Sequence, residues 1–221
     1  MTGKTPKRRR RSPRVQQKYE QARQEILDVA ERLLSERGVE SVTLASVAGE
    51  LGMTKQAIYH YFASKEALVQ SLVTMLLERE IETLIGAIEN VDAGVAPLGT
   101  LIRAFYKHYV GRLNAFRFVY CQSQLYSGEN FVLDEDTVRD EINPLTRHLF
   151  DALEDRLSRG SGSKKERERM RQLAFSAWVS ALGLITMLSV ADATNDPLVH
   201  SDTDLLKTLS AVFDGEVSRR G

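Results

Sequence analysis

Between Thr54 and Phe62 the chain sets Lys55, Gln56, Tyr59 and His60 on one side of a short helical pattern, with Ile58 and Phe62, four apart, on the other. The first group presents an ammonium, a carboxamide, a phenol and an imidazole side by side. None of these pairs makes a nucleophile with its base; together they make a row of hydrogen-bonding groups and rings. Lysine suits the acceptor edge of guanine and glutamine the edge of adenine, while phosphates attract cations and hydroxyl donors whatever the bases are. The chemistry implied is recognition of a polyanion.

Other chemistries find less support. His60, His108, His148 and His200 are scattered and share no metal-ligand spacing. The sequence has no glycine-rich phosphate loop and no GxSxG, so an enzyme would lack its reacting set. No cofactor, no metal and no catalysis are therefore expected. Cys121, the single cysteine, cannot form an internal disulfide and reads as a buried, inert thiol in an aromatic stretch.

The recognition residues need a frame, and the flanking sequence supplies one. Leu44, Val47, Ala48 and Leu51 recur at helical spacing, and Gly52 follows with the left-handed freedom that ends a helix. Thr43 and Thr54 are placed to cap the helices on either side of that turn, and Ser64 to cap the next one. Helix, glycine turn and polar-faced helix make a helix-turn-helix, whose second helix is shaped for a DNA major groove. Upstream, Ile26, Val29, Ala30, Leu33 and Leu34 form the stripe of a helix over about 15–37, with Gly38 just past its end.

Helical patterns continue to the C-terminal side. A helix from Lys65 to about Asn90 would span roughly 37 Å at ~1.5 Å per residue. Others are expected over about 98–113, 114–126, 134–159, 165–193 and 203–217. The aromatic run in 114–126 also fits a strand by periodicity, but no pairing strand is in view. Pro144 predicts a kink or break near Asn143. The expected architecture is all-α with about nine helices: an N-terminal three-helix helix-turn-helix domain and a C-terminal helical domain. In residues, this gives a basic flexible arm over 1–18, the DNA-binding domain over 19–66, and a ligand-binding and dimerisation domain over 67–221.

The charges total 30 basic and 30 acidic, yet residues 1–24 hold nine Lys or Arg against one acid, a net of +8 that leaves −8 for the rest. Such asymmetry suits a polyanion at one end of the molecule. No apolar segment follows the basic start, so export is not expected and the cytoplasm is. Residues 173–191 form 19 positions without a charge, long enough to be weighed as a membrane span. Their serines, threonine, glycine and alanines dilute the hydrophobicity, and a helix buried in a bundle or a subunit interface is the preferred reading.

The stretch from Ile26 to Val73, with ILDVAERLLSERG, VTLASVAGELGMTKQAIYHYF and SKEALV, resembles the DNA-binding domain of the TetR family of transcriptional repressors. By that resemblance Thr43, Tyr59 and Lys65 match positions that grip phosphate. Lys55, Gln56, Ala57 and His60 match positions that face bases, with Ala57 able only to touch a thymine methyl. Thr54 and Tyr61 complete the candidate interface. The resemblance further implies a bacterial homodimer, paired through the last two helices, on a palindromic operator in double-stranded DNA. It also implies a small-molecule effector bound among the middle helices. The candidate ligand residues are Phe105, Tyr106, Tyr109, Phe116, Tyr120, Gln124 and Trp178, since Tyr and Trp combine an apolar body with a polar handle. A mostly apolar effector that releases a repressor is the expected function. A ligand-free architectural DNA-binding protein and an enzyme with an appended DNA-binding head are the alternatives.

Overall fold

A computed structural model describes residues 12–92, 95–121, 133–158 and 163–218, which divide into two compact units, 1–69 and 70–221. Among the described residues every regular element is helical. Residues 1–11 of the expected arm, together with Gln124 of the expected ligand set, lie outside the described residues.

In the first unit, α1 (Pro13–Arg37) begins inside the segment expected to be a flexible arm. Proline suits that first position because its missing N–H would have no partner there and its φ is already helical. One face of α1 buries Ile26, Leu27, Ala30, Leu33 and Leu34. A 3-10 turn at Val39–Ser41 leads into α2 (Leu44–Glu50), then α3 (Lys55–Tyr59) and the first turn of α4 (Lys65–Glu89). The α2 face Leu44, Val47 and Ala48 meets Ile58 and Phe62 in a core from which water is excluded. Glu50, at the end of α2, accepts hydrogen bonds from Arg32 at 2.9 Å and Arg37 at 3.0 Å, which ties α2 back to α1.

The turn between α2 and α3 is closed by backbone hydrogen bonds. Met53 N–H donates to Ala48 O at 2.9 Å and Gly52 N–H to Gly49 O at 3.2 Å, the paired closure that ends many helices. Gly52 sits at φ +63° with nothing within 4 Å of a would-be Cβ, so any penalty for a side chain there is one of backbone conformation. Gly52→Ala should therefore cost about 1–2 kcal/mol, and Gly52→Asn less, as read by urea unfolding. Equal stability of the alanine variant and the parent would refute this account of the turn.

The second unit is a bundle. Here α5 (Pro97–Tyr109) packs mainly against α8 (Lys164–Thr194) and α9 (Asp202–Ser218), and α8 also packs on α7 (Asn143–Ser158). Of the helix expected over 114–126, the described part is a short α6 (Leu113–Phe116) continued by a π turn, Arg117–Cys121, while residues 122–126 lie outside the described residues. Within the expected helix over 134–159, a turn at Glu135–Thr137 passes into a π turn at Val138–Ile142 and then α7. Pro144 lacks the N–H that would bond Asp140 O, so the widened turn falls just before it.

Cross-links between elements are specific. Gly99 N–H donates to Asp214 Oδ1 at 2.8 Å, and a Cβ at position 99 would overlap that carboxylate. Arg117 donates to Ser189 O at 2.6 Å and to Asp192 at 2.7 Å, joining the π turn to α8. Arg171 of α8 donates to Asp151 at 2.6 Å and Glu154 at 3.2 Å on α7.

The charge-free run lies in α8. Its buried side is lined with small residues, Ala174, Ala177, Ala181 and Ala191, beside Leu184, Ile185 and Leu188. Its other side leaves Phe175, Val179, Met187 and Val190 exposed, Val190 at 58%. The expectation of burial on nearly all sides thus holds for one side of the single chain: only 39% of the most apolar window is covered. The helix is long and apolar enough to cross a membrane.

Candidate nucleic-acid interface and aromatic cluster

The two threonine caps set the helix-turn-helix. Thr43 Oγ1 accepts from Ser46 N–H at 3.0 Å and shares a 2.8 Å bond with Ser46 Oγ. Thr54 Oγ1 accepts from Ala57 N–H at 3.2 Å. Each bond satisfies an amide that the first turn of a helix would otherwise leave without a partner. With Ile58 wholly buried, rotation of α3 is fixed, and Lys55, Gln56, Tyr59 and His60 all emerge to solvent.

Four of the expected residues, Thr43, Lys55, Tyr59 and Lys65, line a single hollow of about 380 Å³, together with Ala45, Ser64 and Glu66. Lys55 Nζ lies 5.8 Å from the centre of the Tyr59 ring, so the ammonium and the phenol act on the same volume. Glu66 is the one acid in the hollow. Its carboxyl is held below the usual range by the N–H at the start of α4 and by Ser64, which keeps it anchored to its own helix end. A hollow with two ammonium groups, a phenol and a threonine fits a phosphate oxygen. Gln56 and His60 stand outside it, on the exposed surface of α3 and its end.

Tyr61 differs from its neighbours. It is half-buried and stacks on Tyr19 of α1, with ring centres 5.0 Å apart, and the Tyr19 hydroxyl reaches Tyr61 O at 3.5 Å. His60 meets both rings edge-on, at 6.0 Å and 5.3 Å. These contacts brace α3 against α1, and they account for Tyr61 without any partner outside the chain. Ala57 is half-buried and offers only its methyl.

In the second unit, five of the seven expected ligand residues form one connected set of rings. Tyr109 meets Phe105 at 5.1 Å and Phe116 at 5.3 Å, and Phe116 meets Tyr120 at 5.3 Å. Tyr120 leads on to Trp178 at 6.3 Å, and Trp178 to Phe150 at 6.2 Å. Tyr106 does not join them. It turns to the start of α9, where its hydroxyl donates to Asp202, and burial with that carboxylate pushes its phenol up to about 12.

The residue that sequence reasoning missed is Glu80. Its side chain is wholly buried at the heart of the ring set. Tyr109 Oη donates to Glu80 Oε2, and Tyr120 Oη donates to Oε1 at 2.8 Å and Oε2 at 2.9 Å. Burial raises the Glu80 carboxyl to about 7, while the two phenols pull in the opposite direction. A signal was present in the sequence. Glu80 continues the four-residue row Leu72, Leu76, Leu84, Ile88, all buried, and an acid in such a row must find hydrogen bonds inside the protein. His108, edge-on to Tyr109 at 4.7 Å, is lowered to about 4 by burial and by Arg112.

Comparison with known proteins adds to this geometry. Residues 26–72 match the model of the bacterial regulatory proteins of the tetR family. The HTH-type transcriptional regulator TtgR of Pseudomonas putida is 39% identical over 88 residues, which span 40% of this chain and 41% of that protein. The match thus covers about two-fifths of that relative's length. Among solved structures, a TetR/AcrR-family transcriptional regulator from Thermobifida fusca superposes with a TM-score of 0.63 at 18% identity, covering 87% of this chain and 96% of that one. A transcriptional regulator from Saccharomonospora viridis, solved with choline, gives a TM-score of 0.59 at 18% identity, with 86% and 94% covered. At these identities the structural likeness concerns the fold.

Proposed function

The chain belongs to the TetR family, and on that premise we propose that it is a sequence-specific, ligand-responsive DNA-binding regulator of transcription, a repressor released from a palindromic operator. The observation that carries the DNA-binding part is the shared hollow of Thr43, Lys55, Tyr59 and Lys65 beside an exposed α3. In this reading the hollow seats a backbone phosphate and so fixes the register of α3, while Lys55, Gln56 and His60 reach the base edges. Such a protein works in the cytoplasm, where its DNA is.

The apolar side of α8 supports a homodimer. Val179, Met187 and Val190, with Val212 of α9, are large hydrophobic side chains in contact with solvent in the single chain. A second copy of the same two helices covers them in a two-fold arrangement, and two heads then meet two half-sites about one helical turn apart. The effector binds at the ring set around Tyr109 and Tyr120, and differs in affinity between the DNA-binding state and the released one.

The test begins with selection of preferred sites from random DNA. Tyr59→Phe should weaken binding to every sequence alike, since it removes a phosphate donor. Gln56→Ala should relax preference at one base position per half-site, by about 1–3 kcal/mol. A selected site identical for Gln56→Ala and the parent would remove that residue from the base-reading group. Loss of all sequence preference by the parent itself would overturn the regulator reading.

A further inference from the structure

Glu80 presents an imbalance of charge. The carboxylate is wholly buried, and its partners among the described residues are two phenols. No described Lys, Arg or His pairs with it, and residues 122–132, which follow the π turn, contain no basic residue. Phenol donors can solvate an anion, and burial raises this carboxyl to about 7, so above that pH an unbalanced charge stands inside an apolar cluster. Buried charges are ordinarily offset by a partner of opposite sign.

The rings around it favour a particular kind of partner. Aromatic faces carry partial negative charge, so a chain of rings attracts a cation along its whole length. Here the rings run from Tyr109 and Tyr120, in contact with Glu80, out to the half-buried Trp178 and Phe150. An anionic ligand would be repelled by the carboxylate. A neutral one would gain from the rings but leave the buried charge as it was.

We propose that the second unit binds a monocationic organic ligand, an amine or quaternary ammonium on an apolar frame, with its charge against Glu80 and its frame along Tyr120, Trp178 and Phe150. This rests on the ligand-responsive reading above and names the chemical class that reading left open. Glu80 provides the counter-charge, and its two phenol bonds hold both oxygens in place while the ligand enters. The site needs no charged group from any other element.

Trp178 is the single tryptophan of the chain, so its fluorescence reports occupancy directly. The intact protein is titrated at pH 8 with benzyltrimethylammonium, with its neutral isostere neopentylbenzene, and with phenylacetate. The cation should bind at least about tenfold more tightly than the neutral isostere, the scale of one charge-assisted contact, and phenylacetate should not bind. Glu80→Gln keeps the shape and can still accept from both phenols, and it should abolish the preference for the cation while retaining the neutral compound. Equal binding of cation and isostere by the parent, or no binding of the cation, would overturn the cation site without recourse to any variant. DNA affinity is measured separately in the same samples. Glu80-dependent cation binding with unchanged DNA affinity would uphold the cation site and defeat the ligand-responsive reading.

Discussion

Val190→Arg should sediment as a folded monomer and should bind its DNA at least about a hundredfold more weakly than the parent. In the single chain Val190 is 58% exposed, so an arginine there meets water and the bundle has no reason to unfold. In a two-fold pair of α8 helices the same position is occupied twice, once per copy. Each arginine would then lose much of its hydration against an apolar surface, a penalty of several kcal/mol per charge. A monomer reaches one half-site only, and the second head no longer binds at the high effective concentration that the first provides. Analytical ultracentrifugation gives the mass, circular dichroism the fold and a DNA titration the affinity. A dimer that persists in this variant would show that the exposed side of α8 is not the joining surface.

Glu80→Gln should be more stable than the parent at neutral pH, by up to about 3 kcal/mol, and equal to it near pH 4.5. The sign follows from proton counts. With a folded pKa of about 7 against an ordinary 4.5, the unfolded chain loses this proton first as pH rises. Between these two values the folded state binds more protons than the unfolded one, so stability declines as pH rises through that window and levels off above it. At about 1.4 kcal/mol per pH unit the total is about 3 kcal/mol. The groups against Glu80 are Tyr109 of α5 and Tyr120 of the π turn, both pushed well above the usual phenol range and so neutral throughout. His108 slopes the opposite way, because its folded form, lowered to about 4, resists the proton that the unfolded form takes up below 6.5. The difference between variant and parent removes that contribution. Urea unfolding at fixed protein concentration from about pH 4.5 to 8 measures it, and parallel curves would mean that Glu80 does not titrate in this window.

The first unit was legible because its rules are local. Thr43, Gly52 and Thr54 act on amides within a few residues of themselves, so spacing alone predicts α2, the turn and α3. The π turn before Pro144 follows from one missing N–H, again a local matter. Glu80 was not legible in that way. On a helix with five glutamates it reads as another solvated charge unless its place in the apolar row Leu72, Leu76, Leu84 and Ile88 is weighed, and its partners Tyr109 and Tyr120 lie 29 and 40 positions away. Tyr106 failed for a similar reason. It lies three residues from Tyr109 and one from Phe105, but its partner is Asp202, 96 positions away. Of the helix expected over 114–126, residues 122–126 lie outside the described residues, and the rest runs as α6 and then as the π turn from Arg117, whose guanidinium reaches Ser189 and Asp192.

The bond from Gly99 N–H to Asp214 joins positions 115 apart, and it has a consequence during synthesis. The ribosome releases α5 well before α8 and α9, so a nascent chain carries an apolar helix whose two main partners do not yet exist. Loop closure of that length is slow compared with the formation of a single helix. A chain halted before α8 emerges lacks both helices that pack on α5, whose Leu98, Leu101, Ile102 and Phe105 are wholly covered in the finished bundle. Truncated products should therefore be held by chaperones or degraded, whereas a completed chain closes α5 and presents α8 and α9 together. Quality control and pairing would then depend on the same late stage of synthesis.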